Sequence, residues 1–184
     1  MEDSLAGAGM LSWMLVEKIK HGKPTLLGAA TGAVLGLVAI TPGAGFVPIW
    51  SSIICGAVVS PICYFCMGKL KAKLGYDDAL DAFGCHGVGG IWGGIATGLF
   101  TQKSINSVAN WNGLLFGDFK LLAAQVISIL ITIVYSAVMT FVIMKVIMIF
   151  MEVRVEKSEE ADGLDIAEHG ESAYPAYTGL VILS

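Results

Sequence analysis

From Pro24 to Gly68 the chain runs for 45 residues without a charged side chain. A soluble domain cannot do this, because it must wet its surface at short intervals, whereas a helix crossing a bilayer needs roughly 20 mostly apolar residues. The run is too long for one crossing. It also contains its own break at Thr41-Pro42-Gly43-Ala44-Gly45, where proline removes a backbone donor and glycine favours a turn. Two spans, about 26–41 and 48–67, follow from that break.

Composition extends the reading to the whole chain. Apolar residues make up 55% and charged residues 14% of the 184 positions, with a mean hydropathy of +0.75. A soluble domain carries about a quarter charged residues. An ordinary soluble enzyme, a disordered chain and a disulfide scaffold are all excluded. The net charge of -4 and pI near 5.3 exclude nucleic acid as a partner, since phosphate binding needs a basic face. Cys55, Cys63, Cys66 and Cys85 lie inside apolar runs, where cysteine behaves as a small hydrophobe. Met1 is followed by Glu2 and Asp3, which is not the basic start of a secretory signal.

Three further apolar stretches, at about 5–19, 82–102 and 121–151, complete an expected all-α fold: an integral membrane helical bundle of five transmembrane helices. Residues 1–151 form the transmembrane region and residues 152–184 a cytosolic C-terminal tail. Lys18, Lys20 and Lys23, then Lys69, Lys71 and Lys73, then Lys145, Arg154 and Lys157 belong to one side; only Lys103 and Lys120 belong to the other. Positive residues favour the cytoplasmic side, so the C-terminus is expected inside and Met1 outside, in a multi-pass cell-membrane protein. The segment from Lys103 to Lys120 reads as an external loop. The tail is acidic, from Glu152 through Glu171, with the composition of a solvated end.

Of three histidines, His21 lies in a basic loop and His169 in the tail; His86 lies inside an apolar span, within Gly84-Cys85-His86-Gly87-Val88-Gly89-Gly90. An unsatisfied ring nitrogen in hydrocarbon is costly, so such a residue faces the bundle interior or a water or ion path. At α-helical spacing Ala82, Phe83, Gly89 and Gly90 share its face. Gly89/Gly93, Gly90/Gly94 and Gly94/Gly98 are small-residue pairs that admit close helix packing. Asp77, Asp78 and Asp81 stand at the entrance of the span, where carboxylates cap free N–H groups and complement the helix dipole. Cys63, Cys66, Cys85 and His86 imitate a zinc set. They lack an adjacent polar shell to orient them, so no metal is expected. A single intramembrane histidine cannot supply a bis-histidine haem. No phosphate-binding loop or nucleophile triad is visible, so neither an enzyme nor a cofactor is expected.

The segment Asp77-Asp78-Ala79-Leu80-Asp81-Ala82-Phe83-Gly84-Cys85-His86-Gly87-Val88-Gly89-Gly90-Ile91-Trp92-Gly93 resembles the signature of the penultimate helix of the ammonium transporter family (Amt/Mep/Rh). Gly22-Lys23-Pro24-Thr25-Leu26-Leu27-Gly28, Gly36-Leu37-Val38-Ala39-Ile40-Thr41-Pro42 and Gly163 to Tyr174 also resemble family segments. The resemblance implies the last five of eleven transmembrane helices plus the tail, and so a portion of a longer protein that assembles as a homotrimer. It implies conduction of ammonium or ammonia through a narrow hydrophobic pore, with His86 as the second of two pore histidines. By the same carry-over Val34 and Ala82 line the pore, and Asp78 and Asp81 sit near its cytoplasmic end. A different reading is a non-conducting regulatory or interaction subunit, which binds full-length protomers or a PII-type signal protein at the cytosolic face.

Overall fold

The computed structural model describes residues 2–173, all of whose regular structure is helical. Met1, Tyr174 and Ser184, on which parts of the topology and tail expectations rest, lie outside the described residues. The chain divides into two compact units, Met1–Ile133 and Val134–Ser184.

In the first unit α1 (Glu2–His21) and α2 (Leu26–Ile40) pack against each other and against α3 (Ile49–Phe65). The turn between α1 and α2 is short because its ends are tied. Thr25 Oγ1 accepts the N–H of Gly28 at 2.9 Å, and the Thr25 N–H donates to a Glu17 carboxylate oxygen at 2.7 Å. The three helices meet along glycines. A Cβ on Gly9 would strike the Gly32 carbonyl oxygen, one on Gly36 the Leu5 carbonyl oxygen, and one on Gly56 would lie 2.7 Å from that same Leu5 oxygen. Ser12 Oγ donates to the Ala57 carbonyl and Ser60 Oγ to the Gly9 carbonyl, each at 2.7 Å. Close backbones joined by small hydroxyl donors are how helices associate where the surroundings are as apolar as the side chains.

Helical structure does not stop at Met67, where the span of 48–67 ends. It passes through a π-helical turn, Cys66–Leu70, into α4 (Lys71–Leu74), and closes at Gly75 with φ +65°. Lys69, Lys71 and Lys73 therefore sit on a helical extension and not in a loop. Where residues 82–102 suggested one α-helix, a second π-helical turn, Phe83–Val88, precedes α5 (Gly89–Phe100). The two π-turns touch, and a Cβ on Gly84 would run into the Met67 side chain. The first helix is longer at both ends than the expected 5–19, and α6 (Phe119–Phe150) replaces 121–151.

Two of these helices, Ile49–Leu74 and Phe119–Phe150, are long and apolar enough to cross a membrane by themselves. By contrast α2 has 15 residues, about 22 Å at 1.5 Å per residue against a hydrocarbon core of about 30 Å.

In the second unit the tail forms two short helices, α7 (Lys157–Asp162) and α8 (Leu164–His169). A reciprocal cap between Glu156 and Glu159 opens α7, satisfying two amides that the helix start leaves free. The Ala173 N–H donates to Asp165 at 2.8 Å and holds that carboxyl below the usual carboxylate range.

Candidate functional site

His86 sits in the middle of the Phe83–Val88 π-turn. Such turns place one more residue per turn than an α-helix and occur often at functional sites. The face expected at α-helical spacing for Ala82, Phe83, His86, Gly89 and Gly90 is kept except at Gly89. Gly89 is buried with Val38 of α2 and Val59 of α3 against it, whereas His86, Ala82 and Phe83 are exposed. His86 is therefore not inside the bundle that these helices make. It stands on the outer surface of the first unit.

Val34 shares this outward disposition, at 44% exposure. It lies one helical turn before Val38, whose Cγ1 would be 3.2 Å from a Cβ on Gly89. The backbone of α2 thus runs beside the segment that carries His86. Exposed positions Leu26, Leu27, Ala30, Val34 and Leu37 recur at helical spacing, so one stripe of α2 is apolar and uncovered. Of the glycines expected to pack, Gly89, Gly93, Gly94 and Gly98 do so, Gly93 against the Ala39 carbonyl and Pro42, while Gly90 has nothing within 4 Å.

The entrance to the π-turn is built from the aspartates. Asp78 accepts the N–H groups of Ala82 and Phe83 at 2.8 and 2.9 Å. It is the capping carboxylate that the sequence motif required. Asp81 forms an ion pair with Lys71 at 2.8 Å. Sequence reasoning missed Lys71: it counted as one of several topogenic charges, and no local pattern marks a partner ten residues away. The ring of Tyr76 meets that of Phe83 edge-on with centroids 5.7 Å apart.

Among the described residues no group of three or more His, Cys, Asp or Glu side chains converges to hold a metal, and Cys63, Cys66 and Cys85 are buried free thiols. A groove of about 870 Å³ opens near Trp13, His21, Tyr64, Met67 and Asp81, without His86 in its lining.

Residues 4–174 match the Ammonium Transporter Family. The chain belongs to that family. It is 51% identical over 172 residues to the ammonium transporter of Bacillus subtilis, covering 94% of this chain and 42% of that protein. With the ammonium transporter of Aquifex aeolicus it shares 46% identity over 164 residues, 89% of this chain and 38% of the relative. The crystal structure of Saccharomyces cerevisiae Mep2 superposes with a TM-score of 0.80 at 32% identity, over 97% of this chain and 41% of that one. The ammonium transporter family chain is thus a helical membrane protein that spans about two fifths of the length of these relatives, and its relatives are named as transporters, not enzymes.

Proposed function

We propose that this chain supplies one half of an ammonium-conducting pore, with His86 in the pathway. The observation that supports the reading is the position of His86: a titratable ring on an exposed, otherwise apolar face, in a chain less than half as long as its relatives. A ring nitrogen left on hydrocarbon would be costly, so that face needs a further wall. Val34 and Ala82 line the pathway beside His86, and Asp78 and Asp81 stand near its cytoplasmic end. The five segments expected to span the cell membrane do so with the C-terminus in the cytoplasm. The complete protein is a homotrimer, and its cytosolic loops and tail are where a PII-type signal protein binds.

The chemistry follows from the surroundings. A narrow apolar passage rejects an ion that cannot shed its charge, but ammonium can leave a proton behind and cross as ammonia. An imidazole hydrogen-bonds the neutral molecule and relays protons near neutral pH.

Uptake of labelled methylammonium into vesicles tests the reading. The 184-residue chain alone is expected to match empty vesicles, because a pore needs a wall on every side. Co-expression with a chain supplying the first six helices of a family member is expected to restore uptake. A pair that inserts and associates but never conducts would favour the regulatory reading.

Topology is testable separately. Reporter fusions at Asn112 and at the C-terminus are expected on opposite sides of the membrane. Both reading cytoplasmic would overturn the five-span map.

A further inference from the structure

We infer that Lys71 is a positioning residue for His86, acting through the turn that launches the π-helical segment; the inference rests on the proposed pathway role of His86. Three lysines occupy the helical extension after α3, and their surroundings differ. Lys69 and Lys73 are exposed, whereas Lys71 is half-buried. Its ammonium donates to Asp81 Oδ1 at 2.8 Å and to the main-chain carbonyl oxygen of Asp78. One cation therefore grips Asp78 and Asp81 together.

Those two residues hold the start of the π-turn. The Asp78 carboxylate takes the amides of Ala82 and Phe83, and the Asp81 carbonyl takes the amide of Cys85 at 2.8 Å. The Ala82 and Phe83 amides are N–H groups that a helix start leaves without an internal partner, and the Cys85 bond is the first i→i−4 bond of the segment. Asp81 also has φ +53°, alone among the described non-glycine residues in having a positive φ. That left-handed conformation is unfavourable for a residue with a Cβ and persists where neighbouring contacts enforce it. The Lys71 ion pair is the contact that fixes the Asp81 side chain. His86 follows Cys85, so loosening Asp81 frees the backbone that sets the imidazole's direction.

A second arrangement reinforces the first. Lys71 directly follows the Cys66–Leu70 π-turn, and Asp81 shortly precedes the Phe83–Val88 π-turn. The ion pair thus ties two π-turns that already touch.

The test uses the 184-residue chain in lipid nanodiscs, with Lys71→Met and the conservative Lys71→Arg. Lys71→Met is expected to speed exchange of the Ala82, Phe83 and Cys85 amides roughly tenfold and to move the His86 ring nitrogen resonances. Amides of Gly28–Ile40 should keep their wild-type protection. Lys71→Arg, which retains the charge and donors, is expected to restore both signals. In the co-expressed pair Lys71→Met should lower maximal methylammonium uptake without changing KM, and Lys71→Arg should recover it. Wild-type exchange and an unmoved His86 signal in Lys71→Met would overturn the inference. Should Lys71→Met fail to fold, Asp81→Asn decides, because asparagine tolerates the left-handed backbone while losing the ion pair; unchanged amides there would overturn it equally. A wild-type pair that conducts nothing would count against the pathway reading alone, since the exchange and resonance measurements stand without transport.

Discussion

Gly36→Leu is expected to destroy the folded first unit. A Cβ at this position would strike the carbonyl oxygen of Leu5, with the Ala6 Cα only 3.1 Å away. These are backbone atoms near the start of α1, so no rotamer change relieves the clash. Leu5 is fully buried, in a cluster with Ile40, Val47, Cys55, Ala96 and Phe100. Moving α1 outward therefore opens that core as well. Overpacking of a tight core costs about 1–3 kcal/mol when side chains can yield. With only backbone to displace, the penalty exceeds that range and becomes comparable to a whole domain's stability of roughly 5–15 kcal/mol. The purified variant should lose its sharp size-exclusion peak and its cooperative thermal transition in detergent. Gly7→Ala is the matched control, since nothing lies within 4 Å of a Cβ there. It should retain or slightly raise the midpoint, as alanine is the better helix former by about 1 kcal/mol. A Gly36→Leu transition within a degree or two of wild type would contradict the α1–α2 packing.

The second large effect concerns transport by the complemented pair. His86→Ala is expected to reduce methylammonium uptake about a hundredfold, the low end for removing a positioned proton-transfer group. The loss follows from the proposed chemistry: without the imidazole, a molecule that has given up its proton finds no hydrogen-bonding partner on this side of the passage. His169→Ala, in α8 and exposed, should leave uptake at its wild-type level. Robust uptake by the 184-residue chain alone, abolished by His86→Ala, would refute the half-pore reading. It would mean that several copies close a different pore around the same residue.

Much of the helical order was legible from charge and apolar runs. Pro42 with its neighbouring glycines marks the end of α2, because proline removes a backbone donor and glycine favours a turn. His86 stood out because an ionisable group in an apolar span is expensive, and Asp78 because carboxylates cap helix starts. The two π-turns were not legible. An α-turn and a π-turn have the same apolar composition, and the choice between them is set by contacts such as Met67 against Gly84. Helix also continues past the expected span of 48–67. Lys69, Lys71 and Lys73 look like a loop on charge alone, yet lysine is a good helix former, and helix continues to Leu74.

By itself the sequence determined that this protein is helical, belongs in a membrane, breaks near Pro42 and carries one imidazole in an apolar span. These are properties of composition and local spacing, which act over a few residues. Tertiary structure decided which way the ring faces and what holds it. His86 stands on the outer surface of the first unit, and Lys71 reaches Asp81 across a turn closed at Gly75. Both outcomes depend on how separate segments pack in space, and a linear pattern contains no such distances.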